Sequence, residues 1–556
     1  MSTMKNISYI LSAFVLTAFI SSCSLEEERT SFVNRENAYG TVSQCKSVLN
    51  SCYDPLADIV GSSYFLMTEN CNDLWYGGPT SIVDSYLNIS PSNPGVGSSI
   101  WDKCYFAIMC CNECVECISA SELPEQEKMP LAAEARALRA LYYYVLTCTF
   151  GDVPFYTCMV EDVDVMKEIC VLPRRDASEI RAELYADLRD NALPWFTQEN
   201  GLKARPSEIA GNRAGYALSL MLMAKFAMWN EDWDAALAPL ELLEELYGQL
   251  TEDRYHLEHT QWRFPNVHEG IYEIQHAYST TGVKYSSGIA SVCLPVYKDG
   301  LFDGVAMDGM GTNISSGTTL RATSHFTSIF KPLPLKKVKE TINGESKNRY
   351  YLDLTLLDKV DKRIQYMFAM GNLETGETFE AVKGHGRPST GPKFWCPGMI
   401  SNKDSNNYPF FRYADAVLML AEVHACKDAA DLVKATEYLN QTRVRAGIKP
   451  LDPPADKETF MTELINERAR ELGGEMHRKF DLVRWGIWYE RTLEYTHNSK
   501  VKDNIMPCHE YYPIPDEQCA LGNYVLTNDA YTSAAAPEVG NESEKEDENE
   551  TDSATE

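Results

Sequence analysis

Two apolar helices joined by a three-residue turn constrain this chain more than any other feature. Ala210–Trp229 carries apolar residues at helical spacing, Asn230-Glu-Asp232 has room only for a turn, and Trp233–Tyr247 resumes the same period. Helices linked this tightly lie antiparallel and bury their facing stripes against each other. Phe411–Cys426 and Ala429–Arg445 repeat the arrangement. Further helices are predicted over Cys45–Val60, Ser99–Ser121, Ala132–Phe150 and Ser178–Leu193; in the third, Ala135, Leu138, Leu141, Tyr142 and Val145 share one face. The pairs are dispersed instead of forming a tandem array of ~34-residue repeats. The predicted fold is mainly α, a tetratricopeptide-like scaffold of helical pairs with long loop-rich insertions and a few short strands.

The insertions differ in composition from the scaffold. Residues Gly248–Asn407 are rich in Gly, Ser, Thr, Tyr and Pro, with short β-like pieces such as Ile271-Tyr-Glu-Ile-Gln275. A second loop-rich stretch, Thr68–Ser98, contains Asn70-Cys-Asn-Asp-Leu-Trp-Tyr-Gly-Gly78 and little periodicity. Long irregular segments mounted on helices are where binding residues concentrate.

Charge removes one class of partner. With 51 Lys and Arg against 80 Asp and Glu, the net charge is -29, which argues against an electrostatic nucleic-acid binder. Part of that charge is local. Pro537–Glu556 holds nine acidic residues and one lysine with no apolar run, so residues 532–556 are expected to form a disordered acidic tail.

The N-terminus sets the compartment. Lys5 precedes the apolar run Ile10–Ile20, which is too short to span a bilayer and reads as a secretory signal over residues 1–22. Ile20-Ser-Ser-Cys23 looks like a bacterial lipobox, making Cys23 the lipidated first residue of the mature chain. Glu26, Glu27 and Glu28 beside it would repel anionic headgroups. The expectation is a chain anchored to a membrane, not threaded through one.

Cys111, Cys114 and Cys117 copy the C-x2-C-x2-C run of iron–sulfur proteins. No distant Cys-Pro completes that motif, and Ala107, Cys111, Cys114, Val115 and Ile118 fall on one helical face, which favours core packing. His256-x-x-His259 and His268-Glu269 lack the spacing of a zinc protease. There is no phosphate loop, nucleophile elbow or dinucleotide fingerprint. Neither a cofactor nor a metal ion is expected.

Several separated segments resemble one family. Glu134-Ala-Arg-Ala-Leu-Arg-Ala-Leu-Tyr-Tyr143 with Phe150-Gly-Asp-Val-Pro154, Phe411–Glu422 with Leu439–Gly447, Ile465–Gly486, and Tyr512-Pro-Ile-Pro515 are similar, in order and spacing, to the SusD/RagB nutrient-binding lipoproteins of Bacteroidetes. Gly473-Gly474 departs from the bulkier residues usual there. The resemblance covers the mature chain to about Tyr531 and implies a single SusD-like domain over 23–531. It also implies a non-enzymatic role at the outer-membrane surface: capturing an oligosaccharide or related nutrient and passing it to a SusC-like TonB-dependent transporter. The competing reading is a glycan-cleaving lipoprotein on the same scaffold.

Within Ile465–Gly486, a continuous helix would place Glu467, Glu471 and Arg478 on one face, let Glu475 reach Arg478 and Lys479, and let Asp481 reach Arg484. Glu467 and Glu471 repel each other one turn apart and need arginines from other elements. An ion-pair network is expected there, not catalysis.

A sugar site needs an aromatic platform with polar groups at its edge. Asp73, Trp75 and Tyr76 supply these in the first insertion, and Tyr278, Tyr285 and Tyr297 in the second. Trp101, Trp229 and Trp233 are expected in the core. On this reading Trp75→Ala weakens glycan binding about tenfold, ~1.4 kcal/mol, and leaves stability nearly unchanged.

Overall fold

The structure, a computed structural model, describes residues 38–77, 89–209, 213–250, 268–276, 288–293, 320–330 and 407–534, with shorter stretches between 335 and 394. From the N-terminus, α1 (Val42–Ser51), α2 (Asp54–Ile59) and α3 (Ser62–Glu69) lead to the two-residue strand β1 (Trp75–Tyr76). Next come α4 (Gly97–Ala120), α5 (Glu125–Phe150), α6 (Val163–Cys170), α7 (Ala177–Asp187), α8 (Tyr216–Trp229) and α9 (Trp233–Tyr247). The second insertion contributes β2 (Gly270–Ile274), α10 (Ile289–Cys293), β3 (Arg321–Ala322), α11 (Ser324–Ser328), β4 (Leu335–Ile342), β5 (Glu345–Leu352), α12 (Ile364–Met367), β6 (Gly371–Asn372) and β7 (Glu377–Thr378). After β8 (Tyr408–Arg412) the chain is helical again: α13 (Tyr413–Cys426), α14 (Leu432–Arg445), α15 (Lys457–Leu472), α16 (Arg478–Arg484), α17 (Trp488–Tyr495), α18 (Ser499–Asn504), α19 (Asp516–Leu521) and α20 (Asp529–Ala534).

An aspartate starts the second helix of each predicted pair. Asp232 accepts from the Ala235 N–H at 3.0 Å and Asp431 from the Lys434 N–H at 2.9 Å, so α9 and α14 begin within a few residues of the helices they fold back upon. The partners α8 and α13 are buried nearly all round because each is covered by more than its own pair. α8 also packs on α7, and α13 also packs on α9 and α15. On α4, Ala107, Cys111, Cys114, Val115 and Ile118 are buried together, as their spacing predicts.

Boundaries moved where backbone chemistry outweighed the apolar period. The single helix expected over Cys45–Val60 is two, since Pro55 sits in the first turn of α2 and has no N–H to continue α1. The helix expected to Leu193 ends at Asp187 and passes through a π-turn, Leu188–Ala192, before Pro194. α8 starts at Tyr216 instead of Ala210, because Gly215 is extended and pressed against the Leu202 carbonyl. Phe411 and Arg412 belong to β8, not to α13.

The described strands form four two-stranded antiparallel sheets. β2 and β8 pair Ile274 with Tyr408 and Gly270 with Arg412, and both strands are fully buried. This ladder ties the start of the second insertion to its exit. Trp101 is buried, while Trp229 and Trp233 are half-buried against the core. α20 runs to Ala534, three residues past the boundary placed at Tyr531, and residues 535–556 lie outside those described. Among the described residues, no helix is long and apolar enough to cross a membrane.

Candidate ligand-binding region

The first insertion leaves α3 through an asparagine turn. Asn72 Oδ1 accepts from the N–H groups of Leu74 at 2.8 Å and Trp75 at 3.1 Å, and this bends the chain into β1. β1 pairs with β3 from the second insertion, Trp75 opposite Ala322 and Tyr76 opposite Arg321. Thr323 extends the join: its N–H bonds the Leu74 carbonyl at 2.8 Å and its hydroxyl the Asp73 carbonyl at 2.6 Å. The same hydroxyl accepts from the Phe326 N–H at 3.1 Å and so caps α11. Two loop-rich segments about 250 positions apart are thereby fused at one root.

The three candidates in the first insertion are part of that root and do not form an open platform. Trp75 is fully buried, its ring edge-on to Phe326 at 4.9 Å, Phe394 at 5.6 Å and Phe368 at 6.0 Å. Asp73 is also fully buried. It accepts from Arg478 Nε at 2.8 Å, from a terminal nitrogen of Arg478 at 2.7 Å and from Arg491 Nε at 2.8 Å. Burial opposes ionisation of Asp73, but the two guanidiniums outweigh it and hold the carboxyl well below the usual range. His325 Nε2 lies 3.7 Å from the same carboxylate, yet burial pushes that imidazole down to about 4. Tyr76 is 7% exposed and meets His497 edge-on. These residues are core because they close the seam between insertions, where a ligand would find no surface. Tyr278, Tyr285 and Tyr297 lie outside the described residues.

The region is fastened from below by the segment resembling the family signature. The expected continuous helix breaks after Leu472, and Gly474, at φ +83, carries the chain past Phe394. A Cβ on Gly474 would overlap that ring, which explains the glycine where bulkier residues were expected. The break redirects the charges. Arg478 turns to Asp73, and Glu475 bonds Arg412 and Lys393 instead of Arg478 and Lys479. Glu471 meets Arg363, Arg412 and Arg445 at 2.7–2.8 Å, and Glu467 meets Arg363 and Arg470. The arginines that Glu467 and Glu471 required thus come from the second insertion, β8 and α14. Asp481 reaches Arg484 at 3.6 Å and also Arg468 at 2.7 Å.

This network has the wrong ionisation for acid–base chemistry. Burial opposes charge on Glu467 and Glu475, but their arginine and lysine partners keep both low, Glu475 at about 2. Glu69 goes the other way, raised to about 7 by burial, yet it is fully enclosed, and its two oxygens accept the N–H groups of Gly474 and Met476.

Sequence reasoning missed a cleft of about 520 Å³ whose lining includes Asp152, Arg174, Arg181, Tyr511, Asn528 and Tyr531. Gly151, at φ +70, brings the Tyr511 ring to ordinary contact distance, 3.6 Å from where a Cβ would stand. A ring with carboxylate and guanidinium groups nearby is chemistry that suits a polyhydroxylated ligand. The signals were the Gly151-Asp-Val-Pro corner and the Tyr512-Pro-Ile-Pro stretch, each read only as a helix exit or closing element.

Comparison with known proteins agrees with the helical-pair scaffold. Residues 398–551 match the model of the SusD family, and residues 40–188 match the family described as "Starch-binding associating with outer membrane". SusD-like protein P25 of Formosa agariphila is 25% identical over 511 residues, covering 87% of each chain. A SusD homolog from Bacteroides thetaiotaomicron superposes with TM-score 0.65 at 20% identity, over 90% of this chain and 98% of that one. Surface glycan-binding protein A from the same organism, solved in complex with laminarihexaose, gives TM-score 0.62 at 17% identity, over 87% and 98%. With family matches at both ends, near full-length relatives and the same helical-pair scaffold, the chain belongs to the SusD/RagB family.

Proposed function

We propose that this protein is a cell-surface lipoprotein that binds an oligosaccharide or related nutrient and delivers it to a SusC-like TonB-dependent transporter. One observation carries the binding reading: the insertions are fused at β1–β3 on a rigid helical base. Trp75 and Tyr76 of the first insertion pair there with Ala322 and Arg321 of the second, and Thr323 adds two further hydrogen bonds to Asp73 and Leu74. On this proposal Asp73, Trp75 and Tyr76 fix the root, and Tyr278, Tyr285 and Tyr297 supply ring faces for the sugar. Relatives solved as a laminarin-binding SusD-like protein and with laminarihexaose support the ligand class.

The cleft beside Tyr511 supports a second location for the same function. Calorimetric titration with an oligosaccharide panel that includes laminarihexaose decides between them. Joint replacement of Tyr278, Tyr285 and Tyr297 by Ala should abolish binding with the melting temperature intact, whereas Tyr511→Ala should not. The reverse pattern moves the site to the cleft. Sustained release of shorter glycans in the same mixtures would replace the binding reading with the glycan-cleaving one.

Anchoring through Cys23 and transfer to the transporter complete the proposal. No described helix is long and apolar enough to cross a membrane, and on this proposal a channel-forming partner moves the cargo inward. Cys23→Ala should release the protein from carbonate-washed membranes, and retention without a partner would refute the anchor.

A further inference from the structure

Cys52 occupies the turn between α1 and α2 and is held there by its backbone. Its N–H bonds the Leu49 carbonyl at 3.0 Å, and its own carbonyl accepts the Tyr142 hydroxyl at 2.6 Å. Cys52 Sγ lies 3.7 Å from Cys114 Sγ on α4, with both residues fully buried. That is sulfur–sulfur contact between positions 62 apart. Cys111, one turn earlier on α4, also faces Cys52.

We propose that Cys52 and Cys114 are joined in the mature protein by a disulfide that staples the α1–α2 turn to α4. The proposal rests on the outer-membrane location, because a protein bound there crosses a compartment in which disulfides persist. The oxidant is a protein disulfide of the thiol–disulfide exchange class. One cysteine thiolate attacks it, forming a mixed disulfide and expelling one oxidant thiolate. The second cysteine thiolate then attacks the protein sulfur of that bond and expels the other. Two protons leave the cysteines, and two electrons reduce the oxidant to its dithiol.

Cys114 is the partner because its sulfur lies 3.7 Å from that of Cys52; Cys111, which also hydrogen-bonds Cys52, is the competing partner that peptide mapping distinguishes. Hydrogen bonding to Cys111 and burial push the Cys52 thiol up, and hydrogen bonding to Cys52 and burial push up Cys114. The folded pair therefore holds little thiolate, and exchange belongs to folding, before α4 covers the turn.

The test uses the full-length protein from cell envelopes, acid-quenched, then alkylated with N-ethylmaleimide in denaturant without reductant. Peptide mapping should find Cys52 and Cys114 linked and unalkylated, and Cys111→Ser should leave that link in place. Cys114→Ser should lower the melting temperature by about 5 °C, matching the drop of the wild type on reduction. Alkylation of both thiols in wild-type envelope protein overturns the pairing, as does a Cys52–Cys111 link. Fractionation of the same cells reports the premise separately, since protein found away from the envelope overturns the location on which the proposal rests.

Discussion

Trp75 shows how burial reverses the expected meaning of a residue. Its ring fills the space among Phe326, Phe368 and Phe394, so Trp75→Ala leaves a cavity at the seam of both insertions. Such truncations cost about 3–5 kcal/mol. The melting temperature should therefore fall by several degrees, which differential scanning calorimetry reads directly. An unchanged melting temperature would restore Trp75 as a ligand platform. The loop around Trp75 lacks periodicity, and without periodicity a tryptophan beside an aspartate looks the same whether it faces sugar or phenylalanine. What distinguished the two were partners about 250 to 320 positions away, beyond the reach of local pattern.

At the scale of elements, the decisive feature is the charge network under Gly473-Gly474. Arg363 from the second insertion, Arg412 from β8 and Arg445 from α14 converge on Glu471, which is fully buried. Glu471→Gln leaves these guanidiniums with one fewer charge in a dry interior, and breaking a buried pair costs about 3–5 kcal/mol. Chemical denaturation should show the loss as a lower midpoint with little change in slope. An unaffected midpoint would mean that water or neighbouring carboxylates compensate. The need for distant arginines was legible in the sequence, because Glu467 and Glu471 fall one turn apart. Which arginines answered was not, since the glycine break re-aimed Arg478 and Glu475 away from their helical neighbours.

Stability of the whole molecule should depend on pH through its buried histidines. Burial pushes His325, His477 and His509 down to about 4 in the fold, against about 6.5 in an unfolded chain. Between those values the unfolded chain binds more protons, so the stability these rings contribute is fully present above about pH 6.5 and is lost as pH falls toward 4. Glu69, raised to about 7 by burial, acts in the opposite sense over pH 4.5–7; burial also raises Asp102, Glu134 and Glu510 and lowers His424, so the three rings brought down to about 4 stand against a single carboxyl brought up as far as 7. Melting temperature should therefore drop between pH 6.5 and 4.5, and a flat or rising profile would contradict the burial of these rings. Deleting Pro537–Glu556 should shift it by no more than about 1 °C, since a charged segment without an apolar face has nothing to bury.

By itself, the sequence determined the helical pairs, their turns, the two insertions and the family, because each is written in short-range spacing or contiguous motifs. The cysteine face of α4 was legible for the same reason. The tertiary structure alone decided that the first insertion closes on the second through β1 and β3, that Asp73 and Trp75 are sealed within that join, and that distant chain segments line the cleft beside Tyr511. Burial depends on what arrives from elsewhere in the chain, and in irregular segments no local period announces it.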